Sequence, residues 1–194
     1  MKNHQFRKEE VAFISDQEVI LTKNRLTEKM IVRLEALRSA LMDEVKQNPF
    51  PGIAFPSGKI SKGENYAGFP YLVLDYPAVF KKEDIFALRT IFWWGNHISN
   101  VFIIKGKYLD HFRSAILEKT PSLGSKLFFL GETPWLNEVS KEYVESSKVD
   151  KEQIKRQINE FGFVKITELH PMEEINRLDT LTLHFLQSIR QMIY

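Results

Sequence analysis

Apolar residues recur at three- and four-residue steps early in the chain, at Leu26, Met30, Leu34, Leu37, Leu41 and Val45, which is one face of an α-helix. Ser15 and Glu18 form a capping-box pattern ahead of it, with Ile14 and Val19 placed as the hydrophobic staple. The run Asn48-Pro49-Phe50-Pro51-Gly52 ends it. A helix over 16–47 would be about 48 Å long at 1.5 Å per residue, as long as a domain of this size is wide. The spacing therefore predicts a break near Asn24 or a partner covering the overhang.

The pattern then changes period. Residues 52–68 are rich in Gly, Pro, Ser and Lys and read as a long loop, with a short strand at 53–55. Tyr71 to Asp75 reads as a strand. Residues 85–94 and 97–104 are the most β-like part of the chain, and Gly95-Asn96 between them suits a two-residue type II′ hairpin. That register sets Thr90 opposite Val101 and Arg89 opposite Phe102. Both faces of the hairpin are apolar, so it should lie at the centre of a sheet, covered on both sides. Tyr108, Leu109, Phe112 and Ile116 mark a short helix, Lys126 to Leu130 a strand, and 136–146 a helix. Asp150 and Gln153 form a second capping box, stapled by Val149 and Ile154 and closed at Gly162. Phe163 to Leu169 alternates as a strand. Pro171, Glu173 and Glu174 start a last helix with Ile175, Leu178, Thr182, Phe185, Ile189 and Met192 on its apolar face.

Strands that cluster rather than alternate with helices indicate an α+β fold. The expected architecture is a mainly antiparallel sheet of five or six strands with a central hairpin, packed by a long N-terminal helix and C-terminal helices. No linker divides residues 1–194, which read as one domain with residues 1–14 as a partly ordered arm.

Composition narrows the chemistry. The chain has 194 residues and no cysteine, which excludes disulfides, thiolate nucleophiles and cysteine zinc sites. It also fits a reducing, cytoplasmic setting. No apolar leader or membrane-length apolar stretch is present, so no membrane partner is expected. The net charge of +2 is too small to indicate nucleic acid. Lys59, Lys62, Tyr66, Lys81, Lys82 and Arg89 are too sparse for a nucleic-acid surface.

Catalytic and cofactor motifs fail on spacing. Gly52 to Lys59 mimics a phosphate loop but has one residue too many, and Ile60 stands where a magnesium-binding hydroxyl belongs. The histidines, at 4, 97, 111, 170 and 184, lack metal-ligand spacing, and His170 with Glu173 and Glu174 reads as a helix start. Glu168 and His111 stand alone. No Gly-x-Ser-x-Gly elbow occurs. No metal and no cofactor are expected.

Two features remain. The 59–70 segment joins Lys59, Lys62 and Glu64 to Tyr66, Phe69 and Tyr71, which suits a small anionic ligand or a partner surface if the rings are not core. Arg89 is the only charge on its strand face and needs a counter-ion, with Asp75 or Glu64 as candidates. Trp93 or Trp94 could wall a cleft there, and His97 would be the nearby group titrating near neutrality. The reading is a non-catalytic ligand-binding or protein-interaction module at the 59–70 loop and the 85–104 hairpin, using Lys59, Lys62, Glu64, Tyr66, Asp75, Arg89, Trp93, Trp94 and His97. The alternative is an enzyme acting on a small anion with Lys59, Glu64, Arg89 and His97. A homodimer through the 16–47 or 172–193 helix is the expected assembly.

Overall fold

A computed structural model describes residues 5–138 and 140–194. Residues 1–4, including His4 and the start of the expected arm, lie outside the described residues, as does position 139 within the expected 136–146 helix. The chain forms helices α1 (Lys8–Ser15), α2 (Gln17–Gln47), α3 (Lys107–Lys119), α4 (Lys151–Phe161) and α5 (Leu178–Ile193). Its strands are β1 (Lys59–Tyr66), β2 (Phe69–Phe80), β3 (Ile85–Trp93), β4 (Ile98–Lys105), β5 (Leu127–Phe129), β6 (Tyr143–Glu145) and β7 (Phe163–His170).

All seven strands join one antiparallel sheet in the order β1-β2-β3-β4-β7-β5-β6. The fold is α+β with seven strands rather than five or six, and the β3–β4 hairpin is central. One face carries Leu72, Leu74, Phe86, Leu88, Phe92, Phe102, Ile104, Val164 and Ile166 against the helices. The other carries a smaller apolar cluster of Val73, Ala87, Ile91, Trp93, Val101 and Ile103. Period-two alternation divides these sets, and β3 is buried along its length apart from half-buried Arg89.

The long helix is continuous from residue 17, and the break falls at Asp16, not Asn24. Asp16, rather than Ser15, caps α2, because its carboxylate accepts from the backbone N–H groups of Glu18 and Val19. Ser15 instead ends α1, a helix within the expected arm. The second capping box forms as read, with Gln153 N–H donating to Asp150 at 2.8 Å and Asp150 N–H to Gln153 at 3.0 Å. Gly162 closes α4 at φ +72°.

Three expectations are corrected. Residues 59–70 are a hairpin rather than a loop. Ala67 and Gly68, at φ +50° and +88°, make the two-residue turn joining β1 to β2, the positive-φ pair of a type I′ turn. The central hairpin is shifted by one residue, with Arg89 opposite Val101 and Thr90 opposite Asn100. The Asn96 N–H donates to the Trp93 carbonyl and the Trp93 N–H to the His97 carbonyl, so the loop is longer than two residues. This register lets the hydroxyls of buried Thr90 and Thr182 both donate to Asn100 Oδ1, at 3.0 and 2.9 Å. A slip would leave these polar groups unpaired in the core. Finally, the described part of 136–146 is not helical. It is irregular chain, then β6 and the start of a 3₁₀ turn. The last helix likewise opens with a 3₁₀ segment over Met172–Arg177.

Candidate functional site

The sheet face opposite the helices is crossed by the segment 131–137, a strap between β5 and β6. Both faces of β3 and β4 are apolar, so this second face needs a cover. The strap is fastened at four places. The Gln157 side chain on α4 accepts from Gly131 N–H and donates to Gly131 C=O, both at 3.0 Å. Trp135 packs against Phe80, with centroids 6.2 Å apart. The Leu136 carbonyl accepts from the Tyr143 hydroxyl at 3.1 Å and from the Lys165 ammonium. Asn137 N–H donates to the Tyr66 hydroxyl at 3.0 Å.

Gln157→Ala leaves Gly131 without either partner in a half-buried setting. We expect a loss of about 2 kcal/mol in unfolding free energy, with faster amide exchange over 131–137. A loss of stability without that local exchange would separate the strap from Gln157.

Two cations lie beneath the strap. Arg89 Nε donates to Asp75 Oδ1 at 2.7 Å and Nη2 reaches Oδ2 at 3.5 Å. Its guanidinium carbon sits 5.8 Å from the Phe80 centroid and 5.6 Å from that of Trp135. Lys165 on β7 is fully buried, with its ammonium 5.2 Å from the Phe129 centroid and 5.5 Å from that of Tyr143. No carboxylate among the described residues pairs with it. Burial, and secondarily the Arg89 charge, bring its pKa down to about 7. Burial likewise pushes the Tyr143 hydroxyl up to about 12.

Cavities flank the strap. One, of about 540 Å³, is bounded by Phe129, Leu136, Glu142, Arg156, Gln157 and Glu160 among others. The other, of about 350 Å³, lies between the β2–β3 turn, the start of β3, the end of β4 and the strap. Its lining includes Lys81, Lys82, Lys105, Phe80 and Trp135, with Glu132 the one carboxylate. Among the described residues, none of these three lysines forms a salt bridge.

The structure divides the residues singled out from the sequence. Asp75, Arg89, Trp93 and Tyr66 share the strap side: Trp93 Nε1–H donates to the Tyr66 carbonyl at 3.3 Å, and the rings meet edge-on at 5.2 Å. Lys59 is opposite Asp75 and points to the same side, exposed. His97 packs edge-on to Trp93 at 5.3 Å, and burial pushes its pKa down. It stands opposite Trp93, which is four residues along β3 from Arg89, and so lies about 13 Å from Arg89. Glu64 turns to the helix side and pairs with Lys23 of α2 at 2.6 Å. Lys62 is exposed on β1 at the sheet edge. Trp94 packs on Phe92 beside α2. Lys59, Glu64, Arg89 and His97 therefore do not converge.

Sequence reasoning passed over Lys165 and set Glu168 aside as standing alone. Glu168 joins Lys126 at 3.2 Å and His170 at 3.3 Å, and His170 also faces Glu174 at 3.5 Å. Burial opposes ionisation of Glu168, but hydrogen bonding from His170 and the Lys126 charge outweigh it and hold its pKa below the ordinary value. This cluster ties β7 to the start of the last helical segment and borders none of the cavities described above. Among the described residues, no three His, Asp or Glu side chains converge as a metal site would require, and no helix is long and apolar enough to cross a membrane. Compared with known protein families, curated proteins and solved structures, the chain matches none of them.

Proposed function

We propose that the protein is a non-catalytic binding module for a small anion, held in the cavity between the β2–β3 turn and the strap. The observation that carries this reading is the convergence of Lys81, Lys82 and Lys105 on one aromatic-walled cavity with no paired carboxylate. The field inside its low-dielectric walls is set by these three lysines, because Asp75 neutralises Arg89 and burial brings the Lys165 pKa down to about 7. The lysines supply charge and donors, and Phe80 and Trp135 supply flat apolar walls, so a phosphorylated or carboxylated compound of modest size fits. The enzymatic alternative loses support because its four residues are dispersed. The cysteine-free composition supports a cytoplasmic setting. The module works as a homodimer in this reading. Its first two helices carry the uncovered apolar surface, whereas the apolar face of α5 is buried within the chain.

Inorganic pyrophosphate tests the site. At about ten times its Kd it should raise Tm by roughly 3–6 °C, less at high salt. The double variant Lys82→Glu, Lys105→Glu should abolish that rise while folding normally. Absence of any shift with pyrophosphate, phosphate or citrate, or an undiminished shift in the variant, rejects the proposal.

A further inference from the structure

The cavity beside the β2–β3 turn offers more than positive charge. Phe80 and Trp135 in its wall are 45 and 47% exposed, with their rings 6.2 Å apart and inclined at 43°. The other two tryptophans, Trp93 and Trp94, are buried and half-buried. Leaving two large rings half in water forfeits much of the burial that normally places such side chains. Exposed apolar surface beside a cavity marks a contact with something else. The Arg89 guanidinium lies 5.8 and 5.6 Å from the two ring centroids, so it holds both rings from beneath the strap and leaves their outer surface to the cavity. Ile85, Phe161 and Phe163 extend that surface as an apolar floor.

Glu132 is the second feature. It is exposed on the strap, borders this cavity, and forms no salt bridge among the described residues. A carboxylate among three lysines repels a simple anion and serves only as a hydrogen-bond acceptor. A site for an inorganic anion alone gains nothing from it, nor from the rings.

Three chemistries thus meet in about 350 Å³, near the lower end of the roughly 300–1,000 Å³ of small-molecule sites. The lysines suit a phosphate, the exposed rings suit a flat heterocycle, and the carboxylate suits a donor joined to both. Resting on the anion-site reading above, we infer that the ligand is a mononucleotide, with its phosphate on Lys81, Lys82 and Lys105, its base stacked on Trp135 and Phe80, and a sugar hydroxyl or base amino group donating to Glu132. Stacking of this kind takes any base, because every base has a π-face. The net charge of +2 provides no track for a longer strand.

Calorimetric titration of the full chain with AMP, ribose 5-phosphate, phenyl phosphate and pyrophosphate tests the assignment. AMP should bind roughly 10-fold tighter than ribose 5-phosphate, which lacks only the base. Trp135→Leu should shrink that ratio to about twofold or less, and Phe80→Leu, a second variant should the first fail to fold, should shrink it in the same direction. Glu132→Ala should tighten pyrophosphate more than AMP, because it removes a repelling charge from one and an acceptor from the other. Binding of pyrophosphate with no gain from the base overturns the mononucleotide and leaves the anion site standing. A gain that survives both ring variants, or phenyl phosphate binding as tightly as AMP, does the same. If none of the four compounds binds, the anion site and the mononucleotide fall together.

Discussion

Replacing Asp75 with alanine lowers the unfolding free energy by about 3 kcal/mol in denaturant titrations near neutral pH. The size follows from what Arg89 can do afterwards. Its side chain is 18% exposed and that of Asp75 13%, in the middle of the sheet, with Phe80 and Trp135 holding the guanidinium in place. It cannot swing to bulk water without lifting the strap, and Lys165 nearby adds like charge. Removing one member of such a pair leaves an uncompensated buried charge, which typically costs 3–5 kcal/mol. The lower end applies because part of the guanidinium is wet and the ring contacts persist. Asp75→Leu with Arg89→Met should recover most of the loss, since both charges are then gone. Pyrophosphate should stabilise Asp75→Ala more than wild type if anions reach this face. A loss below about 1 kcal/mol would mean that the guanidinium is hydrated and the strap does not seal the sheet.

The parts of this fold legible in the sequence are those fixed by local pattern. The apolar stripe from Met30 to Val45 is buried on α2, the Asp150–Gln153 box caps α4, and the both-sided apolar strands β3 and β4 are central. What escaped depends on distant partners. Lys59 to Tyr66 holds Lys, Ser, Gly, Glu and Asn, all poor strand formers except for its Ile and Tyr, and is a strand because β2 offers it an edge. Gly63 leaves room for the Tyr71 ring that lies across it, since a Cβ there would fall 2.4 Å from that ring. The hairpin register turned on burying Thr90, Asn100 and Thr182 together, and Thr182 lies 82 residues beyond Asn100.

The candidate site was half legible for the same reason. A lone arginine in an apolar strand demands a partner, and Asp75 is that partner. Face assignment was harder. Glu64 was a candidate counter-ion and Trp94 follows Arg89 by five residues, yet β1 parity and the Trp93–His97 loop send them to the helix side. Lys165 was hidden by alternation. Phe163, Lys165 and Thr167 look like the watered side of a half-buried strand, whereas the strap covers them. One signal could have exposed it. Strands apolar on both faces require a second cover, and 131–135, with Pro134 and Trp135, was the stretch left without an assigned element. Any polar residue facing that cover from a neighbouring strand is buried.

That burial gives Lys165 a pH signature. Its pKa falls from 10.5 to about 7 in the folded protein, so between those values the unfolded chain binds the proton more readily than the folded one. Stability then rises with pH across that window, by up to about 1.4 kcal/mol per pH unit. Below about pH 7 both states hold the proton and the full penalty is present; above 10.5 neither does and it is gone. Lys165→Met removes the titration while filling similar volume. The difference in unfolding free energy, variant minus wild type, should therefore be flat below about pH 7 and decline by several kcal/mol as pH approaches 10.5. Tyr143, held neutral up to about 12, opposes stability at the alkaline end equally in both proteins and cancels in the difference. Because the uncharged amine can still donate to the Leu136 carbonyl, the strap should stay closed through this range, with exchange over 131–137 unchanged. A difference that stays constant from pH 6 to about 10 would show that the Lys165 ammonium carries no burial penalty, and hence that water or an anion already reaches it beneath the strap.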